Sequence, residues 1–285
     1  MTRKKATAIG FVAVLLWSFL ALFTVGSAPT PPLQLNAICF AIGGTIGLIW
    51  THLKGGLAQL TKISWKVYIF GTLGIFGYHA LYFSALRLAP AAEAGLIAYL
   101  WPLLIVLMSG LLPGEKLRAG HMLGGVLGFV GAALIILGGG ADFSSENLPG
   151  FALAIACALT WSSYSVLSRR LGDVPTASVA VFCLASAALS LGLHLMLEET
   201  IWPQGQLGWI SVIALGLGPV GAAFYVWDVG IKQGDIQLLG TSSYAAPLLS
   251  TAVLILAGIA SPSWSLGAAA LLITGGAVVA ARAQK

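Results

Sequence analysis

Charge is the scarcest thing in this chain. Of 285 residues only 9 are acidic and 14 basic, 8% together, against 58% hydrophobic. That is too little polar surface to clothe a water-soluble globule of this size, so the solvent is lipid. Cysteine is scarce as well. Cys39, Cys157 and Cys183 stand alone in three separate apolar stretches, which excludes a paired redox couple or thiolate metal centre and leaves small packing residues. The four histidines form no ligand pair, so no metal or other cofactor is expected. His79 and His194 have no nucleophile or base in their company, so enzymatic chemistry is not expected either. There is no glycine-rich loop with a following lysine, hence no ATP-binding motif in this chain. Any work must draw on gradients or on a separate subunit.

What is present is a row of apolar stretches, each near the 20 or so residues that cross a bilayer core of about 30 Å. They fall roughly at 7–26, 33–52, 65–87, 91–112, 118–138, 150–170, 175–197, 207–231, 236–258 and 264–282. The first follows Arg3, Lys4 and Lys5, but its apolar run is longer than a signal-peptide core and lacks a convincing cleavage site, so it reads as a span. The expected fold class is an all-α integral membrane protein of ten transmembrane helices. With the N-terminus inside, every basic residue but Arg87 lands on an inner segment, while Glu93, Asp142, Glu146, Glu198 and Glu199 land in or beside outer loops. The positive-inside rule then places both termini in the cytoplasm. The net charge of +5 reflects contact with the inner leaflet, not nucleic-acid binding. Trp50 and Trp65 at inner ends, with Trp202, Trp209 and Trp264 at outer ends, read as interfacial belts.

The chain also matches itself. A shift of 145 residues brings Tyr99, Pro102 and Leu103 onto Tyr244, Pro247 and Leu248, Tyr82 onto Trp227 and Arg87 onto Lys232. A shift of 144 brings Trp17-Ser18 onto Trp161-Ser162. Two units follow, residues 1–140 and 141–285. Five spans each is an odd number, so the second unit is inverted relative to the first, a pattern of alternating-access transporters.

Several polar and aromatic residues enter the membrane. Trp17 and Trp161 lie about ten residues inside their helices, near the midplane, with Ser18 and Ser162 beside them. Tyr78 and Tyr82 share a face of the third span with His79 close to it, and an ionisable ring in hydrocarbon is a functional candidate. His79 would either hydrogen-bond cargo or, with an ordinary pKa of about 6.5, carry a proton through the cycle. The fourth span reads Tyr99-Leu100-Trp101-Pro102 and the ninth Tyr244-Ala245-Ala246-Pro247. Each proline removes a backbone donor, so kinks are expected at matching depth. Tyr99 and Tyr244 are expected as separate layers on either side of a central site, each about 12 Å from its nearer surface. The candidate binding or path-lining residues are thus Trp17, Ser18, Tyr78, His79, Tyr82, Tyr99, Trp101, Trp161 and Tyr244, with Pro102 and Pro247 as kinks or gates. Asp228 and Lys232 read as an i, i+4 ion pair snorkelling into water, and Glu93 as a partner for Arg87. The glycines of Gly43/Gly47 and Gly120/Gly124/Gly128 read as close helix packing.

The run Pro102–Leu137, with Gly114-Glu115 and the glycine-rich Gly124–Gly131, resembles the EamA type of the drug/metabolite transporter superfamily. The second copy keeps Pro247 but has Ile259-Ala260 where Gly-Glu would fall. Thr2–Thr7, Leu16-Trp17-Ser18, Glu93-Ala94-Gly95 and Tyr99–Pro102 are similar to the bacterial aromatic amino-acid exporters within it. The resemblance implies a bacterial inner-membrane exporter of ten helices, with spans one, three, four, six, eight and nine around the path. Its implied partners are the bilayer and small neutral amino acids, chiefly Phe, Tyr and Trp. A multidrug or nucleoside-type metabolite exporter of the same fold is the alternative.

Overall fold

In hydrocarbon a backbone amide has no water to pair with, so a spanning segment must satisfy itself as a helix. The computed structural model of the protein describes residues 1–137, 143–171 and 173–283, and among these it is all-helical, with no strand. Ten of its helices are long and apolar enough to cross a membrane: α1 (Arg3–Gly26), α2 (Pro32–Leu53), α3 (Trp65–Leu88), α4 (Ala91–Ser109), α5 (Ala119–Ile136), α6 (Ser145–Arg170), α7 (Ser178–Leu197), α8 (Gly205–Gln233), α9 (Ile236–Leu256) and α10 (Trp264–Arg282). The expected boundary between units at 140/141 lies outside the described residues, as do Asp142 and Lys285.

Local chemistry sets the ends. The Thr2 hydroxyl accepts from Lys5 N–H, so α1 starts at Arg3, earlier than its apolar run, as an N-cap residue does. Asp235 caps α9 by accepting from Leu238 N–H at 2.9 Å, and Pro32 opens α2 where no amide partner is needed. The glycine stripe of α5 faces α10: a Cβ on Gly124 would lie 2.5 Å from the Gly276 carbonyl oxygen, and one on Gly276 would lie 2.6 Å from that of Gly124. Such contact between backbones is how helices associate in lipid, where burial alone drives nothing.

Four spans are interrupted. The α-helix breaks at Ser18–Phe19 in α1, at Tyr99–Leu100 in α4 and at Ser243–Tyr244 in α9, and α8 passes through a π turn at Gly218–Ala222. The interruptions of α4 and α9 lie just before Pro102 and Pro247. Those of α1 and α8 were not foreseen, although Gly218-Pro219 is a signal for the second.

Side-chain bonds sort the connections into two ends. The start of α1, the α4–α5 connection, the end of α6, the α8–α9 connection and the end of α10 meet through Arg3, Glu115, Arg169, Asp235 and Arg118 with the Ala283 carbonyl. At the other end Glu198, between α7 and α8, accepts from Leu33 N–H, Gln34 N–H and Arg87. Arg87 therefore forms its ion pair with Glu198, at 3.3 Å, where Glu93 was expected. Both described ends of the chain share the face that holds Arg3.

Cysteines placed at Lys62 and Arg170 are expected to resist an impermeant thiol reagent applied outside intact cells, and one at Glu199 to react. The native cysteines are buried and give no background. Labelling of the first two from outside would reverse the orientation drawn from the basic residues.

Candidate functional site

The nine tryptophans divide into two groups. Trp50, Trp65, Trp202, Trp209 and Trp264 are exposed at the ends of spans, while Trp17, Trp101, Trp161 and Trp227 converge from α1, α4, α6 and α8. Trp17 touches the other three, with ring centroids 5.9 Å from Trp101, 6.1 Å from Trp161 and 5.2 Å from Trp227. Trp161 and Trp227 stack at 6.3 Å, and Trp101 meets Trp227 edge-on at 5.8 Å. Edge-to-face and offset contacts are the favoured aromatic arrangements, each contributing about 0.5–1.5 kcal/mol beyond burial. Trp227 was matched to Tyr82 by the internal repeat but not singled out for the site. Its place in the second unit, equivalent to an intramembrane tyrosine, was the available signal.

The helix interruptions make this convergence possible. Trp17 is the last α-helical residue before the α1 break, and its indole N–H donates to the Pro219 carbonyl in the π turn of α8 at 3.2 Å. Trp227 donates to Ser165 at 3.1 Å. At the α4 break the Trp101 carbonyl accepts from the Ser162 hydroxyl at 3.0 Å, and Leu103 N–H donates to the Tyr244 hydroxyl at 3.1 Å. Breaks cost backbone hydrogen bonds, and here side chains from other spans replace them.

Tyr78, His79 and Tyr82 extend the cluster along α3. Tyr78 stacks on Tyr82 at 6.1 Å and reaches Trp161 at 5.5 Å, and Tyr99 lies 6.0 Å from Trp101. His79 packs between Phe40 and Phe224, and its Nδ1 lies 2.8 Å from the Ile75 carbonyl. Nδ1 therefore carries the proton, and Nε2 is an acceptor with no partner among the described residues. Trp17, Tyr78, His79, Tyr82 and Tyr99 keep partial exposure, whereas Ser18, Trp101, Trp161 and Tyr244 are buried.

Three expectations need correction. Tyr99 and Tyr244 are not separate layers: their rings lie 6.2 Å apart, and Tyr244 is wholly buried, packed on Gly128 of α5 with its hydroxyl bound to Leu103. It braces the α4 break. Asp228 and Lys232 do pair, at 2.9 Å, but inside the protein, with Thr176 donating to the carboxylate and Lys232 to the Val174 carbonyl. The α6–α7 connection covers the pair and keeps it from water. His194 is not without company, because its ring nitrogens meet Glu198 at 3.0 Å and Thr200 at 2.9 Å. That carboxylate is already engaged by α2 and Arg87, so the group ties connections together.

The Arg3 end is laced by charge. Glu115 bridges Arg3 and Arg169, Arg3 also reaches Asp235 at 3.0 Å, and Arg169 donates to the carbonyls of Ile231 and Gly234. Toward the opposite end packing loosens: none of Leu20–Gly26 in α1 is buried, and only Ala246 is buried in the Ala245–Leu256 part of α9.

Ten apolar spans, four of them interrupted around a shared aromatic centre, define a polytopic membrane transporter. The chain belongs to the EamA-like transporter family, whose sequence model matches it twice, over residues 4–137 and 148–282. It is 53% identical over 98% of both chains to a protein of Ancylobacter novellus named aromatic amino acid exporter YddG. It is 27% identical to the Escherichia coli protein of the same name, over 98% of this chain and 97% of that one. A solved crystal structure at 51% identity superposes with a TM-score of 0.95 over the whole of both chains. The chain is a multi-pass protein of the bacterial inner membrane.

Glu115→Gln is expected to loosen the Arg3 end, because it leaves the part-buried Arg169 without its carboxylate, a loss of about 3–5 kcal/mol for a buried pair. A cysteine at Leu239, fully buried beneath the network, should then react faster with a thiol reagent applied from that side. Equal rates with and without Glu115→Gln would show that the network does not hold this end shut.

Proposed function

We propose that this protein exports aromatic and other neutral amino acids by alternating access, the cargo passing through the tryptophan-lined centre. The observation that carries the reading is the meeting of Trp17 and Trp101 from the first half of the chain with Trp161 and Trp227 from the second, beside partly exposed Tyr78, His79, Tyr82 and Tyr99. Aromatic side chains stack well on such rings. His79 Nε2 is an acceptor suited to an ammonium group. No charged side chain takes part in these ring contacts, which suits a net-neutral zwitterion better than a phosphate ester or a dication. The printed names of the relatives point to the same cargo.

The two family matches support reading the halves as inverted repeats of five spans each, 1–140 and 141–285. The distribution of Lys and Arg supports cytoplasmic termini. On that orientation the charge-laced end is the inner one, and the looser packing of the far parts of α1 and α9 fits a state open to the outside. Export would then require the inner network to part and the breaks in α4 and α9 to take up the movement.

Trp17→Ala, Tyr99→Ala and Trp161→Ala are each expected to cost about 1–3 kcal/mol of cargo binding, read as a rise of about fivefold or more in KM for Trp in proteoliposomes at equal protein content. Unchanged transport in all three would return the rings to packing. His79→Phe should weaken transport and His79→Gln should retain most of it, because an amide oxygen can replace Nε2 as acceptor. If His79→Phe instead abolishes only the response to an imposed pH gradient while leaving Trp–Trp exchange intact, the ring carries the coupling proton.

A further inference from the structure

The rings of the centre suit an aromatic side chain, and the polar groups beside them are the hydroxyls of Tyr78, Tyr82 and Tyr99 and one imidazole, with no cationic group in the ring contacts to meet a carboxylate. A cavity of about 810 Å³ opens at the Arg3 end between α1, the α4–α5 connection, the start of α5 and α9. Its apolar lining includes Leu238 and Phe11, and Phe11 packs on the same apolar cluster as Trp17, Trp101, Trp161 and Trp227. Its rim carries Lys4, Lys116 and Arg118 as well as Arg3, against Glu115 and Asp235, which are already engaged by Arg3 and Arg169. The balance is positive.

His121, in the first turn of α5, lines this cavity and is 2% exposed. Its Nδ1 accepts from Arg118 N–H at 3.2 Å, so Nε2 carries the hydrogen. That buried N–H has no acceptor among the described residues. An orphaned buried donor is costly and calls for an explanation. It stands at the N-terminus of an 18-residue helix, where the macrodipole favours an anion.

We propose that this vestibule is the entry site of the carrier, in which His121 Nε2–H, the α5 N-terminus and the neighbouring Lys4 and Lys116 receive the α-carboxylate of the amino acid while the partly exposed Phe11 and Leu238 take its side chain. The proposal rests on the exporter reading and adds where the charge of the cargo is recognised. The rings sort by side chain, and the vestibule admits by carboxylate. A carboxylate arriving here also competes with Glu115 and Asp235 for Arg3, which links cargo arrival to opening of the inner network.

The test measures KM for labelled Trp in inside-out and right-side-out membrane vesicles, for the wild type, His121→Phe and the exposed pair Lys4→Gln/Lys116→Gln. Loss of a charge-assisted hydrogen bond is expected to raise KM about tenfold in inside-out vesicles, with no change in right-side-out ones. 3-Phenylpropionate, which keeps the carboxylate, should compete from the inner side, and phenethylamine, which lacks it, should not. Normal Trp transport with unchanged KM in both variants, or equal competition by the two analogues, overturns the vestibule alone. A wild-type protein that carries no Trp at all overturns the exporter reading and the vestibule with it.

Discussion

In lipid, a backbone donor released from a helix must find its partner inside the protein, and this constraint organises the structure. At the α4 break, beside Pro102, Leu103 N–H finds the Tyr244 hydroxyl of α9, and the Trp101 carbonyl accepts from the Ser162 hydroxyl of α6. In α8 the π turn offers the Pro219 carbonyl, and Trp17 takes it. Each repair joins two spans, so the places where helices fail are also where the protein is tied together. The tryptophans gather there for the same reason.

Charge is distributed on the same principle. Among the described residues, buried carboxylates form ion pairs: Asp228 with Lys232 beneath the α6–α7 connection, Glu198 with Arg87 and the α2 N-terminus at one end, Glu115 and Asp235 with Arg3 and Arg169 at the other. The centre is left to aromatic rings and one imidazole. The second unit has Ile259-Ala260 where the first has Gly114-Glu115, so the two ends cannot be closed by the same chemistry. The Glu115 network at one end and the Glu198 cluster at the other express that asymmetry.

The two halves also differ in how they bend. Of the pair α1 and α6, only α1 is interrupted. Of the pair α3 and α8, only α8 carries a π turn, while α4 and α9 are both broken. The breaks of α4 and α9 meet through Tyr99 and Tyr244, whose rings lie 6.2 Å apart. Movement in one is felt directly by the other.

Much of this was legible in the amino acids alone. Scarce charge and ten apolar runs dictated the spans, because a bilayer of given thickness admits few other solutions. Proline at 102 and 247 located two of the four interruptions, and the sorting of tryptophans between span ends and span centres followed from depth. What sequence could not supply was which faces meet. Helical periodicity places Tyr244 at a depth but not in a direction, and only packing shows it buried against Gly128 with its hydroxyl spent on α4. Long side chains reach partners far away in sequence, so Arg87 finds Glu198 and not Glu93, and Lys232 turns inward to Asp228 and Val174. The centre itself was decided by tertiary structure. Trp227 is an ordinary membrane residue until α8, bent at Gly218-Pro219, brings it against Trp17, Trp101 and Trp161, because contacts between spans depend on rotation and bend that no local pattern encodes.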